Sequence, residues 1–482
     1  MIKKIPKQVL EILEKLEKAG FEAYIVGGCV RDLIMGKEPK DWDVTTSAKP
    51  EEIQKIFSDS FYENEFGTVG IKIKEDEETK EVVEVTTYRI ESKYSDKRHP
   101  DEVKFAKTLK EDLSRRDFTI NAMAMKVVKS KTEIVNLFGG QKDLENKLIR
   151  AVGNPNERFD EDALRMIRAV RFASTLNFSI EEKTLEAIKK NAKNLKFISQ
   201  ERIKDELVKI ILSDRPSEGI DMLHQSEMLN YVIPELERGV GMKQNLHHIY
   251  TIYQHSILSL KFCPSQKLEV RLAALLHDIA KPQTKRGEGP DATFYNHDHV
   301  GARVAEKILR RLKFSNDIVE KVRLLVDNHM FYYNPDEVGE SSVRRLVQKV
   351  GLENMKDLID LRISDRLGSG VPKAKPYKLR HLEYLIEKVS SDAVSVKMLK
   401  INGNDLMKEL GMKPGPKIGA ILDVMLSEVI EDAEKNSQEF LLARAKELDK
   451  EDLAKLRTMA KKKIEEKKEE EDQAIKNKYW VK

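Results

Sequence analysis

Cysteine is nearly missing from this chain: Cys29 and Cys263 are the only two in 482 residues, and they lack the paired spacing of a thiolate metal site. That excludes a disulfide-stapled secreted scaffold and points to a reducing cytoplasm. No apolar run approaches the roughly 18 residues that a membrane span needs. The N-terminal segment is an amphipathic Lys/Glu stretch without the apolar core of a secretory signal. Aromatic residues are scarce at 6%, and the net charge is only +4 although 35% of residues are charged. A nucleic-acid partner must therefore be gripped by local clusters of Lys and Arg, because the global balance supplies little attraction. Length is what the chain does have: 482 residues suffice for roughly two to four domains with cores of their own.

The most informative stretch covers residues 24–46. Tyr24, Ile25 and Val26 read as a buried strand that stops at Gly27 and Gly28, where backbone amides can face a ligand. Arg31 and Asp32 follow, and Asp41 and Asp43 then flank Trp42. In an extended segment the period of two points both carboxylates to one face. Two like charges held that close are unfavourable unless something neutralises them, and an oxygen-only ligand set suits Mg²⁺. The pattern predicts a triphosphate site in which the glycines admit the phosphates, Arg31 supplies a cationic fork and the aspartates hold the metal.

The surrounding pattern supports a small α/β head. A helix is expected over residues 6–19 and another over 48–57, and two alternating segments, 67–73 and 82–87, read as paired strands. The second places Glu84 between apolar residues, as a third acid beside Asp41 and Asp43. Residues 88–110 are polar, carry both signs of charge and are broken by His99-Pro100, which reads as a mobile loop. A hairpin over 127–137 closes the head, and Gly139-Gly140 reads as a hinge into a helical half. There a helix is expected over 161–173, with Ala163, Met166, Ile167, Val170 and Ala173 on one side and Arg165, Arg168 and Arg171 opposite.

The ordered combination of strand, Gly-Gly-x-x-Arg-Asp and Asp-x-Asp resembles the nucleotidyltransferase head of the bacterial-type tRNA CCA-adding and poly(A) polymerase family. Two further segments carry the same resemblance: Arg115-Arg116-Asp117-Phe118-Thr119 through Asn121-Ala122, and Glu161-Asp162-x-x-Arg165. The resemblance implies that Arg116 and Asp117 contact the nucleotide sugar and phosphates. It further implies that Asp162 and Arg165 read the base of incoming CTP or ATP in place of a template, with Arg168 and Arg171 along the same groove. Glu201-Arg202 through Asp205-Glu206-Leu207 matches a helix that buttresses this one.

A second chemistry follows. His255 lies on an apolar stretch, Leu272 to Leu276 leads into His277-Asp278, and His297, His299, His329 and Asp365 come after. This order resembles the metal-dependent phosphohydrolase domain named for its His-Asp (HD) pair. By position, His255, His277, Asp278 and Asp365 would bind one divalent ion, and His299 and His329 would complete a second site or touch a phosphate. Mixed imidazole and carboxylate ligation suits a transition metal such as Ni²⁺ or Mn²⁺ better than Mg²⁺. His247 and His248 take no assignment. From about residue 397, Ile401-Asn402-Gly403-Asn404-Asp405 and Pro414-Gly415-Pro416 resemble the family's tRNA-holding tail. The Lys461-Lys462-Lys463 run reads as part of a solvated helix.

The resemblance implies an α+β fold: a small mixed-sheet nucleotidyltransferase head over 1–138, a base-recognising helical neck over 139–240, an all-α HD domain over 241–395 and a helical tail over 396–482. The implied function is addition of C, C and A to the tRNA 3′ end, with Mg²⁺ as cofactor, tRNA, CTP and ATP as partners, and neither a membrane nor a protein partner. A-adding and poly(A)-synthesising enzymes share the head, and the length of 88–110 disfavours CC-only addition. A different class of reading is an RNA-end phosphohydrolase with a head that only binds, against which Asp41, Asp43 and Arg31 speak.

Overall fold

The computed structural model describes residues 2–64, 67–75, 78–92, 102–128, 131–244, 249–371, 373–390 and 396–481; His247 and His248 lie outside them. The chain divides into two compact units, Met1–His329 with Asp360–Val371, and Met330–Ile359 with Pro372–Lys482.

The first unit opens with the helix Lys7–Lys18, which buries Val9, Ile12, Leu13 and Leu16 along one stripe, the spacing that its sequence predicts. Among the described residues nine strands follow in the head: β1 (Ala23–Val26), β2 (Asp43–Thr46), β3 (Ser60–Asn64), β4 (Thr68–Glu75), β5 (Glu78–Thr87), β6 (Arg89–Ser92), β7 (Glu102–Phe105), β8 (Ala124–Val128) and β9 (Lys131–Val135). Seven form one mixed sheet in the order β3-β4-β5-β2-β1-β8-β9. β1 is antiparallel to both β2 and β8, whereas β2 and β5 run parallel. The central strands are the apolar ones: Ile25, Val26, Val44 and Val85 are sealed from solvent.

Residues 88–110 are not the plain loop that their composition suggests. β6 and β7 pair antiparallel, from Arg89 with Phe105 to Ser92 with Glu102, and Thr108 caps the helix Leu109–Ser114 through a capping box with Glu111. The misreading has a physical cause: Glu102-Val103-Lys104-Phe105 does alternate, but each strand is only four residues long, too short for a period of two to stand out from a polar loop.

The helical half of this unit packs in pairs. The helix Leu164–Leu176 lies against Gln200–Ile211 and Pro216–Gln225, Ile252–Lys261 against Leu268–Leu276, and His297–Arg311 against Asn316–Asp327. The expected single helix over 161–173 is broken: Pro155–Glu161 ends where Asp162 turns extended, and Leu164–Leu176 begins anew. Asp162 Oδ1 accepts a hydrogen bond from the Leu164 amide at 3.0 Å, so its side chain does the capping work that breaks the helix. The predicted apolar stripe holds, with Ala163, Met166, Ile167, Val170 and Ala173 all buried.

In the second unit the helices Pro416–Glu431, Gln438–Leu448 and Leu453–Tyr479 enclose a core that includes Ile421, Met425, Leu441 and Leu456. Asn402 caps the helix Gly403–Leu410 in a reciprocal box with Asp405, as its sequence predicts. Among the described residues no helix is long and apolar enough to cross a membrane.

Candidate active site and metal cluster

Two separate constellations emerge. In the head, β1 ends and the helix Gly28–Ile34 begins within one residue, a turn that Gly27 makes with φ +86°, where other residues are strained. A Cβ at Gly27 would stand 3.0 Å from Arg116 Nη1 and 3.5 Å from Asp43 Oδ2. The missing side chain is therefore what lets Arg116 and Asp43 face one another across the turn. Asp43 is in register with Glu84 on the neighbouring strand, so both side chains project from the same face of the sheet. Asp41 lies just before β2 and is exposed. Burial raises the Asp43 carboxyl above its ordinary range, and Asp41 adds to this while Arg116 opposes it. The structure thus gathers Asp41, Asp43 and Glu84 at one end of β2, beside Gly27 and Arg116.

Arg31 is a fixed fork. Its Nη1 donates to Asn121 Oδ1 at 2.8 Å, and its Nε donates to Asp32 Oδ1 at 2.9 Å. Asn121 donates in turn to Asp117 Oδ1 at 3.2 Å. Arg168, on the neck helix, sends Nε and Nη2 to Asp117 Oδ2 at 2.9 and 2.6 Å. Burial penalises a charged Asp117, but Arg168 and the Asn121 hydrogen bond outweigh it and hold its pKa down to about 2. Arg171 Nε donates to buried Glu206 at 2.9 Å. The face formed by Arg165, Arg168 and Arg171 is therefore filled with acidic partners rather than solvated.

The base-reading pair predicted from sequence is placed but engaged elsewhere. Asp162 Oδ2 accepts from Arg202 Nη2 at 2.8 Å. Arg165 donates Nη1 to Glu161 at 2.6 Å and Nη2 to the Arg115 carbonyl at 3.1 Å, and its side chain is only 10% exposed.

Sequence reasoning missed two residues here. Asp112 is fully buried and takes Arg115 Nε at 3.0 Å, with Arg116 Nη2 3.5 Å away. Its signal is the spacing of three and four from Asp112 to Arg115 and Arg116, across the end of the helix Leu109–Ser114. The ring of Phe172 faces the guanidiniums of Arg31, Arg168 and Arg171 at 5.3, 5.5 and 3.7 Å, and nothing in its local sequence sets it apart from a core residue.

The second constellation lies in the helical half. His255, His277, Asp278, His297 and His329 are buried, and Asp365 is nearly so. His255 Nε2 stands 3.0 Å from His277 Nε2, 3.2 Å from Asp278 Oδ2 and 3.3 Å from Asp365 Oδ1. On the other side of Asp278, Oδ1 lies 3.4 Å from His297 Nε2 and 3.9 Å from His329 Nε2. One carboxylate thus faces two ligand triads: His255, His277 and Asp365 form one, and Asp278, His297 and His329 the other. Three of the imidazoles give Nδ1 to a backbone carbonyl, His277 to Ala274 at 2.9 Å, His297 to Phe294 at 2.8 Å and His329 to Val326 at 2.7 Å. This fixes the tautomer that leaves Nε2 a lone pair. The Nε2 atoms of His297 and His329 are buried and make no hydrogen bond among the described residues. Burial and neighbouring His277 push His329 down to about 3, which keeps its imidazole neutral. Hydrogen bonds to Asp278 and Asp365 overcome burial at His255 and push it up to about 9.

His299 is not part of this cluster. It is half exposed and bonds Asp327 at 2.7 Å, while His297, two residues earlier, points inward. The signal was present: His297, Gly301, Ala302, Ala305 and Ile308 make the buried stripe of their helix, and residues two apart lie on nearly opposite sides. Lys281 was also missed; its Nζ is 2.6 Å from Asp278 Oδ2 and donates to Gln244 Oε1 at 2.8 Å.

Comparison with known proteins covers nearly the whole chain. Residues 23–150 match the family profile described as "Poly A polymerase head domain", and 177–239 that for the "Probable RNA and SrmB- binding site of polymerase A". A third profile, for domain 2 of tRNA nucleotidyltransferases, covers 293–445. A protein named CCA-adding enzyme from Ligilactobacillus salivarius is 37% identical over 92% of this chain and 96% of its own length. Its Enterococcus faecalis counterpart is 36% identical over 91% and 95%. Among solved structures, the Bacillus stearothermophilus CCA-adding enzyme in complex with CTP is similar with a TM-score of 0.59 at 26% identity, covering 92% of this chain and 97% of that one. The Thermotoga maritima enzyme complexed with tRNA shares the fold, with a TM-score of 0.54 at 19% identity over 92% and 97%.

Proposed function

The chain belongs to the CCA-adding tRNA nucleotidyltransferase family, and we propose that Asp41, Asp43 and Glu84 are its catalytic acids. It adds C, C and A to the tRNA 3′ end from CTP and ATP, without a nucleic-acid template. The observation that carries the site assignment is Asp43, held in register with Glu84 and beside Arg116 across side-chain-free Gly27.

The donor set fits Mg²⁺. Asp41 crowds Asp43 and burial raises the Asp43 carboxyl, a strain that a hard divalent cation on both carboxylates relieves. When bound, Mg²⁺ supplies charge stabilisation at the α-phosphate. The chain's own residues do the rest. The backbone amide of Gly28 and the Arg116 guanidinium receive phosphate oxygens, the Gly27 amide being given to the Met123 carbonyl at 3.2 Å, and Arg31, braced by Asn121 and Asp32, keeps its charge at that edge. Asp117 stays ionised and faces the sugar. The tRNA 3′-hydroxyl then attacks the α-phosphate and pyrophosphate leaves. Asp162 and Arg165 choose the base by exchanging Arg202 and Glu161 for its donor and acceptor edge. Residues 139–240 carry that choice, and 396–482 hold the tRNA. The two buried free cysteines suit work in a reducing cytoplasm.

The test uses tRNA ending at the discriminator base, with labelled CTP and ATP. Three additions and no more are expected. Long A tails, or full activity of Asp41→Ala, overturn the assignment.

A second activity is favoured by the histidine cluster. Residues 241–395 form an HD phosphohydrolase domain whose imidazole-rich ligands fit transition ions such as Mn²⁺ or Ni²⁺. His255, His277 and Asp365 would hold one ion, and Asp278, His297 and His329 a second. Bound metal lowers the pKa of water for attack on a phosphate ester. Phosphatase or 2′,3′-cyclic phosphodiesterase activity with Mn²⁺ or Ni²⁺ is expected to vanish in His277→Ala and persist in Asp41→Ala; silence of the wild type overturns it.

A further inference from the structure

The helix Leu352–Gly368 carries Arg362, Asp365 and Arg366 at positions i, i+3 and i+4, which share one face. Asp365 divides its carboxylate. Oδ1 lies 3.3 Å from His255 Nε2, toward the ligand cluster, and Oδ2 accepts from Arg362 Nη1 at 2.8 Å. Arg362 is thereby spent on holding Asp365 in its ligating orientation, as outer-shell partners of metal ligands do. Arg366 is different. It is only partly exposed, and its guanidinium makes no hydrogen bond or ion pair among the described residues; Nε is buried and without an acceptor. A buried guanidinium N–H without an acceptor is costly to keep.

Charge balance says what is missing. Lys281 and Arg362 already pair with Asp278 and Asp365, so the positive charge of Arg366 is in excess, and divalent ions at the histidines add to it. A doubly charged anion with two or three oxygens restores neutrality, and a planar guanidinium grips such a group through two parallel N–H donors. Neither a neutral sugar nor a nucleobase supplies that charge.

We propose that Arg366 is the anion arm of the HD cluster and binds the terminal phosphate group, as free phosphate or as its ester, while Arg362 acts only by positioning Asp365. This rests on the phosphohydrolase reading of that cluster. Arg366 takes no part in nucleotide addition.

The experiment uses the full-length chain in an Asp41→Ala background, which removes the head's metal site, loaded with Mn²⁺. Mn²⁺ per chain is measured for each variant, and binding of orthophosphate and of adenosine 3′-phosphate is read from paramagnetic broadening of their ³¹P signals. Arg366→Met is expected to keep its Mn²⁺ and to bind both ligands at least about tenfold more weakly, the loss of one charge-assisted contact. Arg366→Lys restores part of that affinity. Unchanged affinity in Arg366→Met, a loss confined to the nucleotide, or a loss of Mn²⁺ each overturns the proposal. The metal reading is checked separately: if His277→Ala retains full Mn²⁺ content, that reading falls and the anion arm falls with it.

Discussion

Arg168 Nε and Nη2 both end on a single oxygen of Asp117, at 2.9 and 2.6 Å, joining the neck helix to the head. Asp117 Oδ1 takes Asn121, and Asn121 takes Arg31. A continuous chain of charge-assisted hydrogen bonds thus links Arg31, beside the Gly27–Gly28 turn, to the helix Leu164–Leu176, which carries Arg165 of the proposed base-reading pair.

Removing one partner of this buried pair leaves the other charge uncompensated. Asp117→Ala is expected to cost about 3–5 kcal/mol of stability, read as a lower urea midpoint at unchanged slope, and to slow CTP addition as well. The pair also sets an acid limit. Because the folded pKa of Asp117 is depressed to about 2, its contribution is fully present above about pH 4, the unfolded value, and is lost as pH falls through about 2. The stability gap between wild type and Asp117→Asn therefore narrows from pH 5 toward pH 2.

Asp41→Ala and Asp43→Ala each remove a carboxylate from the proposed metal site of the head. Several kcal/mol of charge stabilisation go with it, so incorporation of labelled CTP falls by more than about a hundredfold. Asp41→Asn also removes the like charge that raises the Asp43 carboxyl, so protonation of Asp43, followed by infrared or NMR titration, shifts to lower pH.

Asp162→Ala leaves addition possible but relaxes the choice of base. The ratio of kcat/KM for CTP over UTP is expected to fall by about 10- to 100-fold, the discrimination carried by one good polar pair at a base edge. An unchanged ratio would show that Asp162 serves only to cap its helix and pair with Arg202.

The metal cluster separates neighbouring histidines. In an Asp41→Ala background His297→Ala should lower Mn²⁺ per chain, whereas His299→Ala, at a half-exposed residue bound to Asp327, should leave it unchanged. Ligand binding stabilises the folded state by about 2.7 kcal/mol at a hundredfold excess over Kd. A chelator should therefore lower the Tm of wild type and leave that of His277→Ala unmoved.

Much of this was legible because it is local. Strand, Gly-Gly, Arg-Asp and Asp-Trp-Asp stand within residues 24–46, and alternation along a strand or a stripe along a helix follows from backbone geometry alone. The β6–β7 ladder was lost because its strands are too short for their alternation to stand out from a polar loop, and the break at Asp162 because an aspartate reads equally well as a cap or as part of a polar face.

The sequence by itself singled out the residues proposed to carry chemistry: Asp41, Asp43, the arginines of the helix Leu164–Leu176, and the order His255, His277-Asp278, His329, Asp365. Its local pattern cannot rank partners separated by tens of residues. That Arg168 pairs with Asp117 and Asp162 with Arg202, that His297 rather than His299 joins the cluster, and that Arg366 keeps a buried Nε without a hydrogen-bond acceptor were decided by how the helices pack. Packing alone selects which face of each helix is dry, and in a dry site every charge must find a partner or a ligand.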